Sequence, residues 1–539
     1  MPPAGPGAEA QTEEGPGATS SLSGSGNEPV PAEVVEAAAE ERLVVETDSW
    51  SAEFTNRGAQ LLSLRLKRHR ADNEPVELVH PRAEGAQTYG LVGTAGQSLA
   101  LNDALFVAEL KEEGSGGQRL SFRYAGPLGQ AEKLFECTPA GFCEVTVTVA
   151  GSSDWAVLLG PGVRQPTAVE LKNSRFRWGA VYKLGSDRKF LNAKKAQLTE
   201  LPGPDLRWVA LDDTYFLNAV IPWEGVAAVT IEPFLVVKED GAPDRFLPLP
   251  EGKLTPEQQA MRRELSLLLA PRDTQLRFGN YWGAKDYGRL AALPYGLEET
   301  VDFGWFPFLA RPLQLGLRWI HDELTHNYGW AIVLMTLLIR LAMLPLTHRS
   351  IVHSQKMQKL SPKMQAIRNR WRGKMRDKQG RPNPEAQRKM NEEIMGLYRE
   401  EGVNPVSGCF PVLLQFPVFL AFYYLLSGAV ELRNAAWILW IHDLSVPDPH
   451  YVLPLVMGGS QLLQQVMMPI GGDPMQRRLF LLMPVFLTYL FLNFASGLVL
   501  YWLTSNVIGI IQQAIYRRLH PVEEQPAKSK SEAAASKNK

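Results

Sequence analysis

The chain has 539 residues and three cysteines, which excludes a disulfide-stapled miniprotein and a cysteine-rich zinc module. Its formal net charge is −1 and its mean hydropathy is −0.14, values typical of a soluble globular protein. The charges are nevertheless divided, because residues 1–328 carry 32 Lys and Arg against 44 Asp and Glu, whereas residues 329–539 carry 24 against 13. An acidic half followed by a basic half indicates a membrane or nucleic-acid partner.

Residues 1–40 are rich in Pro, Gly, Ala, Ser and Glu and contain neither Lys nor Arg. Such a composition cannot bury enough apolar surface to fold, so it predicts a disordered acidic linker. The segment also lacks the apolar stretch of an export signal. We therefore expect that a first membrane span is missing from the sequence; the alternative is that the first half of the chain does not lie outside the cytoplasm.

The pattern of residues 41–300 predicts an all-β domain. Short runs alternate between apolar and polar residues and are separated by Gly, Pro and Asp, for example at 43–45, 61–66, 144–149, 226–237 and 276–278. A period of two is typical of strands with one buried face, so we expect a large antiparallel β-sandwich of about 240 residues.

The same domain carries none of the motifs of common active sites, namely HExxH, GxxxxGK[ST], GxSxG and paired Cys-x-x-Cys. The nine histidines of the chain are scattered, so we expect no enzyme, no metal site and no cofactor. Cys137 and Cys143 flank a hairpin-like loop, and they either form a disulfide outside the cytoplasm or remain two unpaired strand thiols.

Residues 301–327 predict an amphipathic helix. Leu313, Leu317, Ile320 and Leu324 share one helical face. The polar residues lie elsewhere on the helix: Arg311, Gln314, Arg318, His321 and Asp322. Because this helix directly precedes an apolar stretch, we expect it to lie in the outer membrane interface. The alternative is a helix packed on its own β domain.

Residues 328–519 contain five apolar stretches that are long enough, or nearly so, to cross ~30 Å of hydrocarbon at 1.5 Å per residue. They are 329–347, 408–428, 451–470, 479–494 and 497–515. A soluble core helix explains one such stretch but not five. The fourth and fifth stretches are separated by only two residues, which predicts a tight helical hairpin.

The charges of the connecting loops predict the orientation of these spans. Segment 348–401 carries 14 Lys and Arg against six acidic residues, and its pattern predicts a hairpin of helices at 350–371 and 384–401. Every second loop is basic, so the positive-inside rule places residues 348–407, 471–478 and 516–539, with the basic tail 520–539, in the cytoplasm. By parity the first 328 residues lie outside it.

A series of short motifs runs through the second half of the chain. They include Gly329-Trp330, Ile339-Arg340, Asn404-Pro405, Glu431-Leu432-Arg433, Trp440-Ile441-His442-Asp443-Leu444, Asp473-Pro474-Met475-Gln476 and Ser496-Gly497-Leu498-Val499-Leu500-Tyr501-Trp502. These motifs resemble the YidC/Oxa/Alb family of membrane protein insertases, densely from 303 to 519. The resemblance is looser over the β domain, for instance at Arg57-Gly58 and Phe176-Arg177-Trp178-Gly179.

The resemblance implies the Gram-negative architecture of the family, in which a first span precedes a periplasmic β-supersandwich. It implies a bacterial inner-membrane protein with five conserved helices around a hydrophilic groove, which is open to the cytoplasm and to lipid but closed outside. It also assigns the single arginine of that groove to Arg340.

The position of Arg340 supports a functional role on physical grounds. It lies eleven residues into the first predicted span, about 16 Å from the outer end and about 10 Å from the inner end. An arginine at depth costs ~2.5–3.5 kcal/mol on insertion scales, which makes it a functional candidate. The alternative is that it extends to the nearby cytoplasmic surface as one more positive charge.

Other polar residues in the predicted spans are expected to line one water-filled cavity with Arg340, because intramembrane polar groups face a bundle interior. Gln415 and Asn506 are the first candidates, followed by Gln461, Gln465, Thr504 and Ser505. The alternative is that each of them only bonds two helices together.

The predicted function is a membrane protein insertase and chaperone that acts alone or with the Sec translocon. No nucleotide-binding motif is present, so partition of the substrate's apolar span into lipid would drive insertion while Arg340 attracts its acidic tail. A polytopic transporter of a small solute is the alternative, weakened by the lack of an inverted repeat. A carbohydrate-acting enzyme is a third interpretation, disfavoured by the lack of a paired-carboxylate motif.

The expected partners are nascent membrane proteins and not DNA, with the Sec translocon, the ribosome and the signal recognition particle system as further candidates. In the basic hairpin, Lys356, Lys363, Arg368 and Arg370 are expected to contact anionic lipid headgroups or ribosomal RNA. The alternative is a positively charged loop without a specific partner.

Overall fold

The computed structural model describes residues 34–519 except for 72–73, 81, 94–95, 115, 173–175, 239–242, 251, 377–379, 403–409 and 468–473. Most of the predicted acidic linker and the whole basic tail 520–539 therefore lie outside the described residues. Strands occupy the chain as far as Ala284, and helices occupy most of the chain beyond it.

The described residues before 285 form nineteen strands. They are β1 (Arg42–Glu46), β2 (Trp50–Thr55), β3 (Gln60–Ala71), β4 (Glu74–Glu77), β5 (Leu91–Val92), β6 (Val107–Glu112), β7 (Gln118–Gly126), β8 (Gly129–Cys137), β9 (Phe142–Val149), β10 (Ala156–Leu159), β11 (Trp178–Leu184), β12 (Asp187–Asn192), β13 (Thr199–Pro202), β14 (Leu206–Asp213), β15 (Phe216–Pro222), β16 (Val226–Val237), β17 (Arg245–Pro248), β18 (Arg262–Pro271) and β19 (Gln275–Ala284).

These strands pair in three antiparallel sheets. The first has the order β1-β2-β3-β4, and the second has the order β13-β16-β18-β10-β5 with β17 on β16. The third has the order β12-β11-β14-β15-β19-β9-β8-β7-β6. The three sheets share one apolar core, to which Phe54, Leu267 and Phe278 contribute. The predicted antiparallel β-sandwich is confirmed.

Strand β9 shows why the sequence pattern was informative. Val145, Val147 and Val149 are buried in it, whereas the residues between them are partly exposed, as expected when one face of a strand packs on a core. Cys137 and Cys143 stand opposite each other in the β8–β9 register, and a disulfide joins them. Of the two alternatives for this pair, the structure therefore shows the disulfide, which is typical of an oxidising compartment.

The helices of the described residues are α1 (Ala168–Lys172), α2 (Pro256–Ala260), α3 (Tyr287–Ala292), α4 (Pro307–Ile320), α5 (Tyr328–Ala342), α6 (Leu344–Arg372), α7 (Pro384–Glu400), α8 (Phe410–Gly428), α9 (Val452–Met467), α10 (Pro474–Phe491) and α11 (Ser496–Leu519). Helices α5 and α8 to α11 fall on the five predicted spans. Helices α6 and α7 form the predicted hairpin.

The first of these helices is shorter than the predicted span 329–347, because α5 ends at Ala342 and α6 already begins at Leu344. Pro345 explains this boundary. A proline fits the first turn of a helix, where it stands in α6, but it has no N–H to donate to the carbonyl of Leu341, so the hydrogen-bond pattern of α5 does not continue through it. The first helix of the hairpin is consequently longer than predicted, since it begins at Leu344 rather than at residue 350.

Helices α10 and α11 are joined by residues 492–495, and both pack against α9. In the part of the chain that the structure describes, α11 is long and apolar enough to cross a membrane by length and composition alone. Three shorter apolar helical stretches are Tyr328–Ala342, Gln415–Gly428 and Leu481–Phe491. That all five helices span the membrane stays a prediction.

Helix α4 occupies the predicted amphipathic segment, and three of the four apolar residues predicted to share one face do so. Leu313, Leu317 and Ile320 are buried in the helical core, where α4 packs against α5 and α8. Leu324 is exposed because the chain turns into a π-helical segment after Ile320 and the regular spacing is lost. The apolar side chains that are exposed at and just before this helix are instead Trp305, Phe308, Leu315 and Trp319.

Candidate functional site

Helix α5 places a charged side chain among the apolar helices. We refer to helices α4 to α11 and their connections as the helical part. The helix begins where the side chain of Asn327 accepts a hydrogen bond of 3.2 Å from the backbone N–H of Trp330, as a helix N-cap does. Arg340 lies in its last turn, two residues before the helix ends. The early end of α5 thus moves Arg340 to a helix terminus, where its charge also complements the carbonyl end of the helix dipole.

Ser505 on α11 is the meeting point of polar side chains from three helices. Nε and Nη2 of Arg340 both donate to its hydroxyl oxygen, Nε at 3.0 Å. Nε2 of Gln415, on α8, donates to the same oxygen at 3.1 Å. Ser505 is buried, whereas Arg340 and Gln415 are half-buried. The structure therefore brings together three of the residues predicted to line one cavity.

Tyr501 belongs to the same site, although the sequence analysis missed it. Its ring stacks on Phe422 of α8 with 4.4 Å between the ring centroids, and its hydroxyl lies beside Gln415 and Arg340. Tyr501 precedes Ser505 by four residues, which places both on one face of α11. That spacing was the available signal. We refer to Arg340, Gln415, Tyr501 and Ser505 as the three-helix cluster.

Asn506 faces a different helix from Ser505. Its Nδ2 donates to Oγ of Ser460 at 3.1 Å and to the carbonyl of Met457 at 3.4 Å, both on α9. Successive side chains on a helix point about 100° apart, so neighbouring residues reach different partners. The structure therefore places Asn506 in the α9–α11 contact and not beside Arg340.

Three further predicted residues also lie on α9 and α11. Gln461 and Gln465 of α9 and Thr504 of α11 are half-buried. Oε1 of Gln461 is buried and has no hydrogen-bond partner among the described residues. Within that part of the chain, neither Gln461 nor Thr504 hydrogen-bonds to Arg340.

The basic hairpin uses part of its charge internally. Lys363 pairs with Glu401 at 2.5 Å, and Arg370 pairs with Glu393 at 2.8 Å. Lys356 is exposed and Arg368 is half-buried. Surface ion pairs of this kind contribute only about 0–1 kcal/mol, so they do not prevent these side chains from exchanging partners.

A second polar site, which the sequence analysis missed, joins the helical part to the β domain. Arg433, just after α8, donates from Nε to Oε1 of Glu170 at 3.2 Å and from Nη1 to the carbonyl of Arg70 at 2.6 Å. Glu170 also accepts bonds of 2.8 and 2.9 Å from Arg164. Burial alone would raise the pKa of Glu170, but the hydrogen bonds and charge of Arg164 lower it to about 2. The ionised carboxylate therefore bridges two arginines.

The chemistry available at the three-helix cluster is binding rather than bond cleavage. Its four side chains supply a guanidinium, an amide and two hydroxyls, which can hold an anion or a polar chain but form no acid–base pair. In the described part of the chain, no group of three or more His, Cys, Asp or Glu side chains is arranged to hold a metal ion.

Family models match most of the chain in two adjoining parts. Residues 42–315 match the model described as the YidC periplasmic domain. Residues 319–524 match the model described as 60Kd inner membrane protein.

Two curated relatives carry the name membrane protein insertase YidC. The protein of Geobacter metallireducens is 34% identical over 505 residues, which cover 90% of this chain and 87% of that protein. The protein of Geobacter sulfurreducens is 35% identical over 491 residues, which cover 88% and 85%. A crystal structure described as an active YidC insertase with its first transmembrane domain resolved is 19% identical, with a TM-score of 0.36, and covers 90% of this chain and 95% of that one.

Proposed function

Because this chain belongs to the YidC family of membrane protein insertases, we propose that its three-helix cluster lines the groove through which hydrophilic segments of its substrates enter the membrane. Membership makes the chain an inner-membrane insertase with a periplasmic β domain, and its substrates are nascent membrane proteins. The relatives do not favour the alternative of a small-solute transporter.

The observation that carries this proposal is that, among the described residues, Arg340 is held by the hydroxyl of Ser505 and not by a carboxylate. An arginine that is paired with a carboxylate is charge-compensated, whereas the Ser505 hydroxyl leaves the charge of Arg340 uncompensated. A guanidinium has five N–H donors, and its bonds to Ser505 occupy Nε and Nη2. The remaining donors and the free charge are available to an acidic residue of a passing segment.

The magnitudes support a thermodynamic mechanism. An acidic residue at the centre of the bilayer costs ~2.5–3.5 kcal/mol on insertion scales. Two opposite charges 4 Å apart attract by ~4 kcal/mol at an effective dielectric of 20 before screening. Arg340 would therefore offset much of the cost of one acidic residue, and partition of the substrate's apolar span into lipid would complete the insertion.

The arrangement in the membrane that we propose has helices α5 and α8 to α11 as the five spans. Helix α4 lies in the outer interface, and the hairpin α6–α7 and the tail 520–539 lie in the cytoplasm. The excess of Lys and Arg in segment 348–401 supports this orientation.

The partners of the hairpin follow from the same charge. Anionic lipid headgroups and the ribosome are proposed to bind at Lys356, Lys363, Arg368 and Arg370, and the Sec translocon and the signal recognition particle system are further proposed partners. The chain is proposed to act by binding and partition and not as an enzyme.

The test reverses the charge at position 340 of the insertase and varies the charge of the substrate's translocated tail. A single-span substrate is prepared with an acidic, a neutral or a basic translocated tail, and its insertion is measured with wild-type chain and with Arg340→Glu. We expect Arg340→Glu to insert the acidic tail about tenfold less well, a loss equivalent to ~1.4 kcal/mol, and to regain efficiency with the basic tail.

Arg518→Glu is the matched control, because it makes the same charge change at the exposed end of α11. It should leave the order of the three substrates unchanged. An equal effect of Arg340→Glu on all three tails, or no effect on any of them, would overturn the proposed groove.

A further inference from the structure

A cavity of about 190 Å³ lies where three parts of the molecule meet. One wall is an end of the nine-stranded sheet, with Arg177 before β11 and Lys285 after β19. The other walls are α4, with Gln314, and the last turns of α8, with Ser427. We refer to this space as the junction cavity.

The size of the junction cavity suits a small polar group. Pockets that enclose whole drug-sized ligands span about 300–1,000 Å³. The cavity therefore holds a headgroup or a similar fragment, and the rest of a larger ligand would have to extend out of it.

One side of the junction cavity offers a cation with spare donors. Nη1 of Arg177 donates to Oδ2 of Asp302 at 2.7 Å, and the guanidinium lies 4.9 Å from the ring centre of Phe190. That ion pair uses one of the five N–H donors of the guanidinium. Both cations of the cavity wall are paired with a carboxylate, but Nζ of Lys285 is buried and also donates to the carbonyl of Asp213 at 3.1 Å. The side chain of Arg177 is 32% exposed and keeps N–H donors beyond its ion pair, so Arg177 is the group that can bind an anionic oxygen.

Another wall offers an acceptor without a donor. Gln314 is only 7% exposed, and Nε2 of its amide donates to Oε1 of Glu431 at 3.3 Å. Its Oε1 is buried and has no hydrogen-bond partner in the described part of the chain. An unpaired buried acceptor costs about 1–3 kcal/mol, so a ligand that donates to it gains that amount. A cationic N–H group on the ligand fits this oxygen.

The position of the cavity favours a lipid as the source of such a ligand. Gly428, in the wall of the cavity, ends the apolar helix α8. Trp305 and Phe308 follow the lining residue Phe303 in the chain by two and five positions, and their side chains are 78% and 73% exposed. Trp and Tyr are enriched at the level of lipid headgroups, and exposed Phe adds apolar surface beside them. An exposed apolar patch beside a headgroup-sized polar cavity is what a lipid with an inserted headgroup would cover.

From this arrangement we propose that the junction cavity binds the zwitterionic headgroup of an ethanolamine phospholipid. Its phosphate contacts the free donors of Arg177, its ammonium group donates to Oε1 of Gln314, and its acyl chains lie along the exposed apolar side of α4. Since the β domain supplies Arg177 and the helical part supplies Gln314, the bound lipid also links the two parts. This site is separate from the three-helix cluster and does not depend on the groove.

The experiment measures lipid retention by the full chain. The protein is purified in detergent and mixed with equal amounts of phosphatidylethanolamine and phosphatidylglycerol, and the bound lipids are counted by native mass spectrometry. We expect wild-type chain to retain phosphatidylethanolamine preferentially. Arg177→Gln and the near-isosteric Gln314→Met should each lower that retention about tenfold, the effect of losing one hydrogen bond to a charged group.

The control for Arg177→Gln is Arg207→Gln, which removes the same charge from an exposed position on β14 of the same sheet. Thermal unfolding of each variant shows whether it is folded, and Arg177→Lys serves as a second variant if Arg177→Gln is not. Arg207→Gln should retain the lipid as wild-type chain does. Equal retention of both lipids by wild-type chain, or an unchanged preference in the folded cavity variants, would overturn the proposal.

Two further measurements distinguish a bound lipid from a free phosphoethanolamine compound and from a substrate protein. Free phosphoethanolamine at the lipid's concentration should not displace the lipid, because it lacks the acyl chains; full displacement would argue against a lipid site. A photoreactive residue at position 427, in the wall of the cavity, should crosslink to lipid in native membranes. Crosslinking to a substrate protein instead would also overturn the proposal.

Discussion

Oγ of Ser505 lies 3.0 Å from Nε of Arg340, and this hydrogen bond joins α11 to the last turn of α5. The hydroxyl oxygen also accepts bonds from Nη2 of Arg340 and from Nε2 of Gln415, so two side chains share this one acceptor. The hydroxyl of Ser505 thus orients the long side chain of Arg340. Ser505 therefore helps to set where the positive charge lies in the proposed groove.

Replacing Ser505 by alanine is therefore expected to destabilise the helical part. The change removes one acceptor from two donors, one of them charged, and a hydrogen bond to a charged group contributes about 1.5–3 kcal/mol. Unfolding of the full chain in detergent, followed by circular dichroism, should show a loss in that range. Ser505→Thr keeps the hydroxyl and should recover most of it.

The neighbouring residue supplies the control for this change. Thr504 carries the same functional group one position away and is half-buried. Thr504→Val should alter the free energy of unfolding by no more than about 0.5 kcal/mol, as substitutions outside a hydrogen-bond network usually do. Equal effects of Ser505→Ala and Thr504→Val would show that the hydroxyl of Ser505 contributes no more to stability than that of its neighbour.

The sequence predicted the members of this cluster better than their grouping. Arginine, glutamine and hydroxyl residues are uncommon in apolar helices, and Arg340, Gln415 and Ser505 were identified on that basis. Which of them meet depends on how each helix is rotated about its axis, and packing between helices sets that rotation. Asn506 lies one residue beyond Ser505 and consequently bonds to Ser460 on α9 instead.

The contact between the two domains was beyond reach from the sequence for a different reason. Arg433 and Glu170 are separated by 263 positions, and nothing in either local pattern marks them as partners. Local periodicity predicts strands and helices because their hydrogen bonds are local or repeat regularly. A pair across two domains is defined only once both domains are folded and docked.

The first turn of α5 provides a packing test. A Cβ atom added at Gly329 would lie 2.1 Å from Cδ1 and 2.7 Å from Cβ of Trp437, in the loop that follows α8. Because both are close to the indole's attachment point, the ring cannot simply swing away. Gly329→Ala should therefore lower the free energy of unfolding by about 1–3 kcal/mol, the usual cost of overpacking.

Gly396 in α7 is the matched glycine for this test. It has no atom within 4 Å of an added Cβ, and it lies inside a helix. Alanine is a better helix former than glycine by about 1 kcal/mol, so Gly396→Ala should leave stability unchanged or raise it. A stability loss in Gly396→Ala as large as that in Gly329→Ala would contradict the packing explanation.

The carboxyl group of Glu431 predicts a pH dependence of stability. Burial, assisted by the charge of Asp286, raises its pKa to about 7, while Arg318 and the amide of Gln314 oppose this shift. In the folded chain the group therefore keeps its proton to higher pH than in the unfolded chain. Its stabilising contribution is complete below about pH 4.5 and is lost as the pH rises through 7, by up to ~3 kcal/mol.

Glu431→Gln tests this prediction because it keeps the shape of a protonated carboxyl group and cannot ionise. Unfolding midpoints of both proteins are compared between pH 5 and pH 8. The wild-type chain should lose stability more steeply with rising pH, and the difference between the two curves isolates Glu431 from the other groups that titrate in this range. Parallel curves would show that Glu431 has an ordinary pKa.

The ion pair between Arg433 and Glu170 should couple the stability of the β domain to that of the loop after α8. Both side chains are less than 10% exposed, and removing one partner of a buried pair typically costs about 3–5 kcal/mol. Arg433→Met leaves Glu170 still bonded to Arg164, so we expect a loss near the lower end of that range.

A double-mutant cycle with Glu170→Gln should give a coupling energy above about 1 kcal/mol. The cycle Arg42→Met with Glu53→Gln is the control, since that pair lies within the β domain with side chains 65% and 34% exposed and should couple by less than about 0.5 kcal/mol. Hydrogen exchange should additionally become faster in residues 429–450 in Arg433→Met, because the loop loses its anchor to the domain. Equal coupling energies in the two cycles would mean that docking rests on apolar contacts and not on this ion pair.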